Sequence, residues 1–156
     1  MSEFYVTNRD VIKNFAINTG TTAVPVYTNL CTSSELSLST DFTEQTFFVF
    51  CDAIQRSIKT GVALTIDGTV KIDVNNLAVQ KVLTNLGTLI STGAIAQFNN
   101  VGCKFDLLTG ASGGVLTYTT YIVDTNFSLE SLGGVAEGVG EFSISLTING
   151  TGTVSA

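Results

Sequence analysis

Apolar and polar residues alternate with a period of two along most of the chain. The clearest stretch lies near the end, where Phe142, Ile144, Leu146 and Ile148 share one face and Glu141, Ser143, Ser145, Thr147 and Asn149 share the other. Alternation of this kind marks a strand with one dry side. Val62, Leu64 and Ile66 repeat it, Asp67-Gly68 then reads as a hairpin turn, and Val70 and Ile72 resume the pattern. A second hairpin is predicted from Val101, Cys103, Phe105 and Leu107, a turn within residues 109–114, and a return over 115–123 rich in Thr, Tyr and Val. On that return Leu116, Tyr118, Thr120 and Ile122 point one way and Val115, Thr117, Thr119, Tyr121 and Val123 the other, which predicts cover on both sides. Leu36 and Leu38, continuing towards Phe42, make an earlier strand. Phe47, Phe48, Val49 and Phe50 form an aromatic run too continuous for periodicity to assign.

One segment follows a different period. Leu77, Val79, Val82, Leu83, Leu86, Leu89 and Ile90 recur every three or four residues, with Asp73, Asn75 and Asn76 as candidate N-caps and Gly93 as a stop. The spacing predicts an amphipathic helix of about four turns whose single apolar stripe suits packing on a sheet. The glycines at 133, 134, 138 and 140 give a connection to the last strand. With Pro25 as the sole proline, the usual protection of strand edges is largely missing, which predicts that the edges are used.

Composition sharpens that expectation. The 156 residues hold 7 Lys and Arg against 13 Asp and Glu, a charged share of 13%, about half that of an ordinary soluble domain. A surface so poor in charge is expected to be covered by other protein, so the chain reads first as a subunit of a larger assembly. Its length predicts one domain spanning 1–156. No apolar run reaches the roughly 18 residues of a membrane span, and the first ten residues lack a basic-then-apolar leader, so cytosolic assembly is expected. Cys31, Cys51 and Cys103 match neither a disulfide framework nor a metal-ligand spacing, and free buried thiols are expected.

The absence of histidine removes Ser-His and Cys-His nucleophile pairs and the commonest metal ligand. The net charge of −6 argues against a phosphate-binding surface, because nucleic-acid affinity comes chiefly from Lys and Arg. Asp41 with Glu44, and Glu137 with Glu141, are the close carboxylate pairs that glycoside hydrolysis would need. With no Trp to stack a sugar, they read better as solvated charge. The Phe42, Phe47, Phe48 and Phe50 group reads equally as core or as a self-association patch.

The order of these elements resembles a known family. The Thr-Ala-Val-Pro-Val-Tyr strand region at 22–27, Ser-Glu-Leu-Ser-Leu-Ser at 34–39, Lys-Thr-Gly-Val-Ala-Leu-Thr-Ile-Asp-Gly at 59–68, the helix, the 101–123 hairpin and the closing Gly-Glu-Phe-Ser-Ile-Ser-Leu-Thr-Ile-Asn-Gly at 140–150 together resemble the major tail tube proteins of long-tailed bacteriophages. The likeness lies in pattern and order and covers most of the chain. It implies a mainly β fold, a β-sandwich with one flanking α-helix whose inner sheet contributes to a barrel in a hexameric ring. Rings then stack into a tube through which viral DNA is ejected. It implies a structural protein of the virion tail, assembled in the host bacterial cytoplasm, with no enzymatic activity, cofactor or membrane insertion.

The partners implied are further copies of the chain, a tape-measure protein inside the tube, tail terminator and tail-tip or baseplate proteins, and duplex DNA that passes without specific binding. In such a tube an acidic lumen would repel the passing phosphates rather than grip them. The resemblance also places an inter-ring loop at residues 40–56, which makes Asp41, Phe42, Glu44, Phe47, Phe48 and Phe50 the candidate contacts. Two other readings remain open: the inner tube of a contractile tail, tailocin or secretion-like injector, and a carbohydrate-binding β-sandwich module that uses the 115–123 strand.

Overall fold

Strands dominate the computed structural model, which describes residues 3–51 and 53–154. A short helical turn α1 (Asn8–Val11) leads into β1 (Ile12–Asn18), β2 (Tyr27–Asn29), β3 (Ser33–Phe47) and β4 (Arg56–Lys71). The main helix α2 (Leu77–Thr92) follows, then β5 (Val101–Ser112), β6 (Val115–Leu132), β7 (Glu141–Ile148) and a short β8 (Thr153–Val154). The strands join antiparallel into one sheet ordered β2-β1-β5-β6-β7-β4-β3, with β8 added to β6.

The order of that sheet dictates its shape. Its two ends, β2 and β3, are consecutive in the chain and separated only by residues 30–32. Seven strands laid flat would be roughly 29 Å across, whereas the link reaches about 15 Å when fully extended. The sheet therefore curls back on itself into two facing layers. The link is tied to both layers, with the Leu30 amide donating to the Phe15 carbonyl (2.8 Å) and the Lys71 amide donating to that of Thr32 (3.0 Å).

Between the layers sits the core, built from Phe15 and Ile17 of β1, Ile66 and Val70 of β4, Cys103 and Phe105 of β5, Val123 and Phe127 of β6, and Phe142, Ile144 and Leu146 of β7. The helix contributes Ala78, Val79 and Val82 from one stripe, as its period requires. Asn76 is its N-cap, accepting from the amides of Ala78 (2.8 Å) and Val79 (3.3 Å), and Gly93 ends it in the left-handed region at φ 71°. Asn76 also donates to the Asn29 carbonyl (2.8 Å) and Lys81 Nζ to that of Asn18 (2.6 Å), which fixes α2 beside β1 and β2. Among the described residues no helix is long and apolar enough to cross a membrane.

The predicted turn at Asp67-Gly68 does not exist; β4 runs straight through it. A two-residue hairpin pairs the residues flanking its turn, so Ile66 would share a face with Thr69 and Val70 would move to the polar side. Instead Ile66, Gly68 and Val70 are all buried, in phase. Gly68 is there for close approach: a Cβ would lie 3.0 Å from the Glu35 carbonyl oxygen. The second hairpin is present but tighter than expected, with Ser112 paired to Val115 across Gly113 and Gly114, whose φ values of 60° and 81° suit a type I′ turn.

Two further expectations are corrected. Residues 22–26 form a bend rather than a strand, closed by the Thr19 amide on the Val26 carbonyl (2.7 Å), and only Tyr27 enters β2. The N-terminal strand is β1 instead. Of the three free thiols only Cys103 is buried; Cys31 and Cys51 are exposed because they lie outside the strands, in the β2–β3 link and after β3.

Candidate functional site

The same register that builds the core builds a second surface on its back. Across β3, β4, β7 and β6 the outward residues fall in rows: Ser39, Thr65, Thr147 and Asn126, then Ser37, Asp67, Ser145 and Ser128, then Glu35, Thr69, Ser143 and Ser131. Every position in these rows carries a hydroxyl except Asn126, Asp67 and Glu35. The result is a flat, short-chained polar face with carboxylates and no cation. At its margin Lys71 is ion-paired with Glu141, so that pair adds no net charge. This face was missed because each strand alone shows only an ordinary wet side; the pattern appears once the register sets four such sides together.

The predicted inter-ring residues lie where β3 and β4 leave the body. Residues 40–47 are β strand paired to 56–64, so most of the expected loop is a β-hairpin arm, with residues 48–51 and 53–55 at its tip. All described side chains from Thr40 through Ala63 are exposed. Asp41 and Glu44 lie on opposite faces of β3, three residues apart, and so do not form a carboxylate pair that acts on one substrate. Glu44 is paired in register with Lys59, whose Nζ sits 4.0 Å from the centre of the Phe42 ring. Phe42 and Val62 continue the inward face of the sheet, but no core lies beneath them and both are about half exposed.

Beyond the register shift between Thr43 and Glu44, apolar side chains change sides. Ile58 and Phe47 stand on the face that Asp41 occupies nearer the body. Phe48, Phe50 and Ile54 complete an exposed apolar tip, Phe48 at 66% and Ile54 at 72%. The structure thus places Phe42, Phe47, Phe48 and Phe50 on the surface and not in the core. An isolated two-stranded ribbon is at best marginally stable in water, so this arm has the build of a segment completed by another molecule.

The 115–123 strand is half-buried on both faces from Tyr118 to Ile122 and buried at Val123, while Val115 and Thr117 are exposed. Tyr118 donates to the Asp10 carbonyl (2.7 Å) with Lys13 Nζ 4.0 Å from its ring centre, and Tyr121 packs on Phe105 at 6.0 Å between centroids. Neither ring is a free platform for a sugar. Close by, burial pushes the Asp106 carboxyl up, but hydrogen bonds from Thr120 and from Asn14 (2.8 Å), with Lys104 and Lys13 nearby, outweigh that and hold it below the usual carboxylate range. Burial pushes the Cys103 thiol up to about 12, so it stays protonated and serves as packing.

No family model matches the sequence, and no curated protein matches it. Solved structures do. A chain of the SPP1 tail tube is 14% identical with a TM-score of 0.59, over 94% of this chain and 78% of its own. A chain in the tail of an empty gene transfer agent particle, refined with C6 symmetry, is 11% identical with a TM-score of 0.56, over 97% and 100%. A chain in the sheath–tube complex of an extracellular contractile injection system is 14% identical with a TM-score of 0.50, over 92% and 88%. The fold defined by the curled sheet, the single main helix and the projecting arm is the tail-tube fold.

Proposed function

We propose that this chain is the structural subunit of a phage-type tail tube, assembling as rings of six that stack into a conduit for duplex DNA. The observation that carries the reading is the four-strand hydroxyl face on a tail-tube fold. We assign that face to the lumen. Duplex DNA presents one phosphate per about 1.7 Å of axis, and a wall of Lys and Arg would exchange counterions with it at every contact. A wall of short hydroxyls with Asp67 and Glu35 offers phosphate no cation and no protruding side chain, so the duplex slides. The role is structural and not enzymatic, with a tape-measure protein inside the growing tube and terminator and tip proteins at its ends. The inner tube of a contractile injector is the second reading, supported by the likeness to the sheath–tube complex; co-assembly with a sheath protein would favour it.

Asp67→Lys tests the lumen assignment. Assembled variant tubes should retain duplex DNA in sedimentation at low salt and release it as salt rises, while parent tubes retain none. Variant tubes indifferent to DNA would refute the assignment.

A further inference from the structure

A single asparagine in the chain is followed by glycine: Asn149-Gly150, where the backbone leaves β7 and before it reaches β8. We propose that Asn149 is a site of spontaneous deamidation, at which an uncharged side chain becomes a carboxylate in the folded protein. The chemistry depends on this chain alone, while its consequence for a DNA conduit rests on the tube reading.

Ring closure requires the nitrogen of the next residue to reach the side-chain carbonyl carbon, with its N–H free of hydrogen bonds and water at hand. Glycine lacks the Cβ that obstructs this approach, and every other asparagine here precedes a residue that has one. The Gly150 amide has no hydrogen-bond partner among the described residues, and both Asn149 and Gly150 are exposed. The Asn149 amide donates to the Asp124 carbonyl (2.8 Å), so the asparagine is anchored on its N-terminal side while the peptide that must react is not. Asp67-Gly68 could cyclise in the same way and is an internal control. There Gly68 is buried and paired on both sides, opposite Leu36 and Ile144.

In the reaction the Gly150 nitrogen gives up its proton and bonds to Asn149 Cγ, and the side-chain nitrogen leaves as ammonia. Water then opens the cyclic imide. Cleavage of the bond to Cγ yields aspartate, and cleavage of the bond to the backbone carbonyl carbon yields isoaspartate. Water is consumed, ammonia is released, and nothing is oxidised or reduced. Asn149 Nδ2 donates to Asn100 Oδ1 (2.8 Å), and the Asn100 amide donates to Asn126 Oδ1 (3.3 Å), so Asn149 lies at the margin of the hydroxyl face. Conversion removes the Nδ2 donor and adds a carboxylate there. On the tube reading the wall grows more acidic with age and offers phosphate still less to bind.

The test holds the full chain in mildly alkaline buffer, samples it over days, digests it and reads the peptides by tandem mass spectrometry. Labelling by an isoaspartyl methyltransferase reports isoaspartate. Conversion at Asn149 should run several-fold faster than at any other asparagine, with isoaspartate in the 149–150 peptide and none at 67–68. Protein unfolded in urea should form it at 67–68 as well. Asn149→Gln should abolish the signal at this position, and Gly150→Ala should slow it strongly, with the far-UV circular dichroism of both variants unchanged. An Asn149 that stays an amide while other asparagines convert, or that converts as fast in Gly150→Ala as in the parent, would overturn the assignment and leave the tube reading intact. Conversion at Asn149 in a chain that forms no rings or tubes at any concentration would uphold the site and overturn the tube reading.

Discussion

β3 and β4 pair along their whole length, yet their two halves are different constructions. In the half nearer the body Ile66, Gly68 and Val70 are buried with Leu36 and Leu38 packed against the core, and the alternate residues at 35, 37, 39, 65, 67 and 69 are Ser, Thr, Asp or Glu. In the arm no described residue is buried, the apolar positions change sides beyond Thr43, and aromatic side chains gather at the tip. The body half is stabilised by its own chain, while the arm displays apolar surface that its own chain never covers. On the proposed function one ribbon combines a wall and a connector, and the low charge content fits two surfaces that face other molecules.

The contrast breaks most completely if the arm is removed. Replacing residues 44–60 with Asn-Gly, which suits the twist of a two-residue hairpin, should leave a folded chain by circular dichroism that stays monomeric by light scattering where the parent assembles. Assembly of the shortened chain would remove the arm from the account. Side-chain truncations should then separate the two faces of the body half. Phe142→Ala is expected to cost about 3–5 kcal/mol in urea unfolding, whereas Ser145→Ala, its neighbour on the hydroxyl face, should stay within about 0.5 kcal/mol. Gly68→Ala, whose Cβ presses on the Glu35 carbonyl, should cost about 1–3 kcal/mol; Gly61→Ala in the open arm has nothing within 4 Å to meet and should be close to neutral.

The smallest effect concerns acid. Asp106 has a folded-state carboxyl held below its unfolded value, so it contributes stability that is present above the ordinary carboxylate range and is lost as pH falls through the folded value. Asp106→Asn should therefore lower stability slightly at neutral pH, leave it little changed in strong acid, and so flatten the acid side of the stability profile. An unaltered acid slope would show that the Thr120 and Asn14 hydrogen bonds do not favour the charged form.

Legibility in the sequence followed packing. β7 and α2 are readable because one face of each is buried and the other wet, and α2 also carries its own cap and stop in Asn76 and Gly93. β1 escapes because Asn14 sits at φ 56° within a register shift between Lys13 and Ala16, which puts Ile12 out of phase with Phe15 and Ile17. The arm escapes as strand because alternation needs a dry side to contrast with a wet one, and the arm has none. Asp67-Gly68 mimics a turn by composition, although the unbroken phase from Val62 to Ile72 argues against one. The hydroxyl face is a property of register, which no single strand contains.

Cryo-electron microscopy of the purified, assembled protein tests the central claim most directly. The expected result is sixfold rings stacked into a hollow tube, with Asp67 and Glu35 on the inner wall and α2 away from it. A compact 16.4 kDa monomer at every concentration, or a tube whose lumen is lined by α2, would contradict it.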